Sequence, residues 1–229
     1  MVASDSHDTA VLRPALGRDT QTKAASDGVA YVRVARDGVR GRVLEAAATC
    51  VARWGMTKTT VDDIARQAKC SRATVYRHFP EGKDAILLAV GIYEEGRFFA
   101  DLDPKLARAD SLEAVLVTAL SEASAFLQDN AVLSYLIEHE PEQILPHLTF
   151  DRIGPLLYRS VAALAPHLGR FVQPPLVTEL GEWATRVVLI YWMQPADGLD
   201  LRDPDRARHL VTRYLLPGTE HGNGILIRA

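Results

Sequence analysis

Residues 59–79, TTVDDIARQAKCSRATVYRHF, constrain the fold more than any other stretch of the chain. Thr60 is followed three residues later by Asp63, a capping-box spacing that starts a helix. Ile64, Ala65 and Ala68 then form a narrow apolar face. After Lys69 and Cys70, Ser71 can cap a second helix, on which Val75 and Phe79 stand four apart and pack inward. Arg72, Thr74, Tyr76 and neighbouring polar groups are left at the surface or its rim. Helices this short do not hold by themselves, so the chain must supply a support. The preceding segment supplies it. Asp37 can cap a helix with Val39, Val43, Leu44, Ala47, Ala48 and Val51 on one face, ended by Trp54 and Gly55.

Charge separates this unit from the remainder. Residues 36–85 carry ten Lys/Arg against six Asp/Glu, whereas residues from 86 onward carry twelve against nineteen. A locally basic module on an acidic body fits a polyanion reader joined to a part that stays off the polyanion. The two cysteines, Cys50 and Cys70, match neither a disulfide framework nor a zinc pattern. No apolar run has membrane-spanning length, and the first residues lack a basic segment followed by an apolar run. The expectation is a cytoplasmic protein with no membrane partner.

The rest reads as helices throughout. Residues 1–35 read as a mostly flexible arm, interrupted by Pro14 and Gly28. Pro80 ends the second short helix and Lys83 opens a longer one, with 103–105 and Asp110-Ser111 marking a break after it. Ser111 caps the next helical face, residues 131–138 form a shorter helix, and Glu140-Pro141 ends that one. Segments 145–168 and 176–192 follow, then a loop at 195–204 and a helix over 205–216. No alternation of strands and helices appears. The expected fold is all-α, with a helix-turn-helix unit at 36–82, a helical body at 83–218 and a flexible end at 219–229.

A helix fits the major groove of DNA, where base edges carry a distinctive donor and acceptor pattern. Helix N-termini and basic side chains hold phosphates. The capped pair, its supporting helix and its basic groups together point to such a reader. TTVDDIARQAKCSRATVYRHFPEGKDAIL also resembles the DNA-binding region of TetR-family transcriptional regulators, over roughly residues 39–90. That resemblance implies a three-helix DNA-binding domain and a larger ligand-binding and dimerisation domain, usually in a repressor. It implies that Thr59 or Thr60 approaches a phosphate and that Ser71, Arg72 and Thr74 lie at the groove. Tyr76 and His78 would contact the backbone or groove edges, Arg77 would belong to the same surface, and Lys83 would meet a phosphate. The connection EGK between Pro80 and Asp84 is slightly longer than the family's commonest form, which leaves the reach of Lys83 open.

Two readers set by a two-fold axis would enter successive major grooves, so a homodimer is expected. Segments 176–192 and 205–216 are the candidates to pair, with Leu180, Trp183, Val187, Tyr191, Leu210 and Tyr214 as interface residues; intramolecular core is the alternative. Phe126, Leu133, Leu136, Leu157, Trp183 and Trp192 could line an apolar pocket, with His139 and Tyr158 adding polar recognition. The segment LIEHEPEQILPHLT at 136–149 resembles the body of actinobacterial members of that family associated with lipid-like effectors, which implies a hydrophobic small-molecule effector. His139, Glu140, Glu142 and His147 lie close in sequence but form no metal-ligand motif, and no nucleophile motif or phosphate-binding loop supports catalysis. Neither a metal, a cofactor nor an enzymatic activity is expected. The competing reading is an architectural or constitutive DNA binder without an effector.

Overall fold

The computed structural model of the protein describes residues 38–148 and 153–217. Among them the chain runs as α1 (Val39–Lys58), α2 (Val61–Gln67), α3 (Arg72–His78), α4 (Lys83–Ala107) and α5 (Leu112–Asp129). It continues as α6 (Ala131–His139), α7 (Pro141–Leu148), α8 (Gly154–Leu168), α9 (Pro174–Met193) and α10 (Pro204–Leu210), extended by a π-helical turn, Val211–Leu215. The fold is all-α. The arm, the expected Asp37 cap and the end at 219–229 lie outside the described residues.

Two separate hydrophobic cores divide the molecule into a head and a body. The head core joins Val43, Leu44 and Cys50 of α1 to Ile64 of α2, Val75 of α3 and Phe79 just beyond it. The body core joins Leu116 and Leu120 of α5, Leu164 and Leu168 of α8, Leu180 and Val188 of α9, and Leu210 of α10. Helix α4 belongs to both: Ile86, Val90 and Tyr93 enter the head core, Leu102 and Leu106 the body core. Its 25 residues span about 37 Å. A boundary between residues 82 and 83 therefore falls before a helix whose first half completes the head.

The expected break falls at its second mark, Asp110-Ser111, and not at 103–105, because α4 runs through Pro104 to Ala107 and α5 starts after Ser111. Proline removes one hydrogen bond to the carbonyl of Ala100, and both residues face solvent, while Leu102 and Leu106 are buried and hold the last turn. Arg170 closes the end of the helix by donating to the carbonyls of Leu106 (3.4 Å), Ala107 (3.4 Å) and Ala109 (2.7 Å). Pro141 likewise starts a helix as well as following one, which suits a residue whose missing N–H would have no helical partner. The segment expected as one helix over 205–216 starts at Pro204, capped by Asp203, and widens to π geometry from Val211.

Candidate functional site

The sequence builds the head's reading surface by local capping. Thr60 accepts the Asp63 N–H (3.2 Å), and the Asp63 carboxylate accepts the Thr60 N–H (3.2 Å), so the expected capping box is formed. That hydrogen bonding holds the Asp63 carboxyl below its ordinary range. Ser71 accepts the Thr74 N–H (3.1 Å) and starts α3. Val75 and Phe79 are buried as their spacing requires. At the far end of α3, Arg40 of α1 donates to the His78 carbonyl (3.0 Å) and stacks over the Phe79 ring at 4.3 Å. Helix α1 thus fixes α3 by packing, a hydrogen bond and a cation on an aromatic face.

What α3 leaves exposed is polar and basic. Ser71, Arg72, Tyr76 and Arg77 are exposed, and Thr74 and His78 are half-buried. Arg72 reaches back to Asp62 of α2 (3.3 Å) and lies 5.6 Å from the Tyr76 ring centre, so its guanidinium is held across the α2–α3 surface. Of the two threonines expected near a phosphate, Thr60 is exposed. Thr59 corrects the expectation: it is fully buried, with its hydroxyl donated to the Gly55 carbonyl at 2.6 Å. Lys83 donates to the Thr57 carbonyl (3.2 Å), which leaves two ammonium protons for other acceptors.

The turn from Gly55 to Thr59 is also where the body grips the head. Gly55 has φ +83, a left-handed conformation that ends the regular part of α1. A Cβ there would lie 2.5 Å from Glu140 Oε1 and 2.7 Å from Tyr135 Cε1. The Glu140 carboxylate, 8% exposed, accepts the N–H of Met56 at 2.7 Å and that of Thr57 at 3.2 and 3.3 Å. A buried carboxylate at the α6–α7 junction therefore satisfies two backbone donors of the turn that leads into α2. Among the described residues no group of three or more His, Cys, Asp or Glu side chains could hold a metal, and Glu140 is committed to the head.

The body holds an almost wholly apolar cavity of about 100 Å³ between α4, α5, α8 and α9. Phe98, Phe99, Phe126, Leu164 and Val188 supply much of its wall, with Phe98 stacked on Phe126 at 4.7 Å. Among the described residues Glu95 is the one charged group of the lining; both its oxygens accept from Arg159 Nε at 2.9 Å. Burial pushes the Glu95 carboxyl above its ordinary range, against the pull of Arg159. Of the residues expected to form a pocket, Phe126 alone lines this cavity. Trp192 lines a separate, more polar recess with Tyr191, Arg202 and Arg206. Leu136 and Leu157 are buried, Leu133, Tyr158 and Trp183 are half-buried away from the cavity wall, and His139 is exposed and stacked on Tyr135. Sequence reading missed Phe98, Phe99 and Glu95, although the i, i+3 and i+4 spacing from Glu95 already placed them on one side of α4.

The residues expected at a dimer interface also separate. Leu180 and Leu210 are buried in the chain's own core at 2% and 6% exposure, so they do not present a surface to a partner. Trp183, Val187 and Tyr191 pack against that core half-buried, whereas Tyr214 is 69% and Ile190 55% exposed.

Comparison with known proteins agrees with this geometry. Residues 43–90, which cover α1 from Val43 through the first part of α4, match the family model for bacterial regulatory proteins, tetR family. The HTH-type transcriptional regulator Rv2250c of Mycobacterium tuberculosis is 51% identical over 41 residues, 18% of this chain and 22% of that protein. TtgW of Pseudomonas putida is 37% identical over 81 residues, 35% of this chain and 60% of that one. The matched segment thus spans about a fifth of the mycobacterial relative's length. The TetR-family repressor AlkX from Dietzia superposes with a TM-score of 0.59 at 20% identity, over 81% of this chain and 97% of its own. FadR from Bacillus subtilis, solved with stearoyl-CoA, gives 0.50 at 18% identity over 75% and 97%. These two likenesses concern the fold, and they extend it across head and body alike. The capped reading head thus carries the signature of the tetR family of bacterial regulatory proteins, and the helical architecture around it is the fold of TetR-family structures.

Proposed function

We propose that this regulator is a ligand-responsive transcriptional repressor that binds double-stranded operator DNA as a homodimer. The observation that carries the reading is the division of α3: Val75 and the adjoining Phe79 bury one side, while Ser71, Arg72, Tyr76 and Arg77 stay exposed on the other. In the proposed complex Arg72 exchanges Asp62 for a base edge or a phosphate, Thr74 meets a base or methyl group, and Thr60, Tyr76, His78 and Lys83 set register through the backbone. Pairing along α9 and the π-helical turn, with Ile190 and Tyr214 outermost, would set two such heads for successive grooves.

The cavity favours effector control over a constitutive binder. AlkX is described as implicated in biodegradation of n-alkanes and FadR was solved with stearoyl-CoA, which supports a hydrophobic effector here. Helix α4 carries Glu95, Phe98 and Phe99 on the cavity and Ile86, Val90 and Tyr93 in the head core. An effector that parts the cavity walls would shift α4 and with it the spacing of the heads, so that it binds better to a dimer that fits the operator poorly. Binding of the full chain to DNA from around its own gene, at several salt concentrations, tests the reading. Operator-selective binding that is lost in Arg72→Ala is expected; equal binding to unrelated DNA by the folded protein would contradict it.

A further inference from the structure

The cavity meets its contents with hydrocarbon on nearly every side and with one carboxylate. Glu95 is part of the wall and Arg159 is not. The arginine holds the carboxylate from outside that lining, with Nε 2.9 Å from both oxygens and Nη2 2.8 Å from Oε2. Its charge is thereby absorbed by Glu95 before it can reach a molecule in the cavity. The other polar lining groups are the hydroxyls of Ser160 and Thr185, and Thr185 already donates to the Gly181 carbonyl at 2.8 Å. Among the described residues no cation lines the space.

We infer that the cavity takes an uncharged, mainly hydrocarbon molecule, and that Glu95 discriminates against ligands ending in a carboxylate or phosphate. This rests on the effector reading given above and names the class of ligand. An anionic head placed here would lose its water, gain no positive partner and lie beside a like charge. An alcohol or a bare chain loses little on entry, and a hydroxyl can donate to the outer face of Glu95. Size points the same way. At about 100 Å³ the space is smaller than the roughly 150 Å³ apolar void that takes up benzene, so it receives a short stretch of chain unless its walls part. Phe98, Phe99 and Phe126 offer aromatic faces to such a chain and no hydrogen bond to a polar end.

The test compares 1-octanol with octanoate, matched in chain length, by equilibrium dialysis against the full chain at pH 8. Octanol is expected to bind at least tenfold tighter. In Glu95→Gln the gap should shrink to threefold or less, chiefly because octanoate gains. Filling the cavity with Ala123→Phe should weaken octanol by tenfold or more and so locate the binding. If Glu95→Gln does not fold, Glu95→Gln with Arg159→Gln removes both charges and repeats the comparison. Octanoate binding as tightly as octanol to the wild-type chain, binding of neither, or octanol binding indifferent to Ala123→Phe would each overturn the inference. Operator binding is measured in parallel. Octanol held in the cavity with unchanged operator affinity would remove effector control and leave the ligand class standing; release by octanoate alone would do the reverse.

Discussion

The Glu140 carboxylate accepts the backbone N–H of Met56 at 2.7 Å, across 84 positions of sequence, and so ties the α6–α7 junction of the body to the turn that launches the reading head. The same turn is held by the Thr59 hydroxyl on the Gly55 carbonyl and by Lys83 on the Thr57 carbonyl. Glu140→Ala leaves two backbone donors without their charged acceptor, at a cost of about 1.5–3 kcal/mol in unfolding by urea. Gly55→Ala forces a Cβ against Glu140 and Tyr135 at a positive φ and should destabilise by a similar ~1–3 kcal/mol. If the body controls the head through this joint, Glu140→Gln changes the ratio of operator affinities with and without effector. An unchanged ratio would assign Glu140 to stability alone.

Asp62 restrains Arg72 at 3.3 Å on the face proposed to meet DNA, and both side chains are more than half exposed. Exposed pairs contribute little to folding. Asp62→Asn removes a negative charge from that face and releases the guanidinium. Operator affinity should rise several-fold at low salt while the urea midpoint stays where it is. Weaker binding would mean that Asp62 holds Arg72 in its binding geometry.

The capping box gives the head an acid-sensitive element. The Thr60 hydroxyl, the Thr60 N–H and then Arg66 favour the ionised form of Asp63, so its folded value lies below its unfolded one. Stability from this group is complete above the unfolded value and is lost as pH falls through the folded one, that is, below about pH 4. Unfolding followed from pH 6 to pH 3 should show a smaller acid loss in Asp63→Asn than in the wild type. Thr60→Ala removes the cap itself and should cost about 0.5–2 kcal/mol at neutral pH.

Ile190 on α9 and Tyr214 on the π-helical turn are large apolar side chains left exposed. Ile190→Asp should convert the protein to a monomer in sedimentation and weaken operator binding by at least tenfold, with unchanged helical circular dichroism. A dimer that survives Ile190→Asp and Tyr214→Asp together would move the interface elsewhere.

Much of the head was legible in the sequence because its determinants are local. Thr60 with Asp63, Ser71 with Thr74, and Val75 with Phe79 lie three or four residues apart, the distances over which caps and helix faces are written. Thr59 shows the limit: one residue before the cap, it turns inward after the kink at Gly55, which composition alone does not orient. Glu140 was read as a helix-end surface residue and is buried instead, since its partners lie on another element far along the chain. The cavity escaped for a related reason. Phe98 and Phe99 form a lining only when α4 crosses α5 and α9, and crossing geometry is not contained in the period of any one helix. Helix α9 is apolar on several sides, so its pattern could not tell Leu180, which is buried, from Ile190, which is exposed.

The central claim is a paired reader of DNA, and footprinting on DNA from around the protein's own gene, combined with the mass of the complex in solution, tests it most directly. The account predicts two protected half-sites related by two-fold symmetry, centred one helical turn or a multiple of it apart and bound by an even number of protomers. It also predicts that Arg72→Ala abolishes both half-sites together. A single unsymmetric footprint occupied by one protomer, or protection that persists without Arg72, would contradict it.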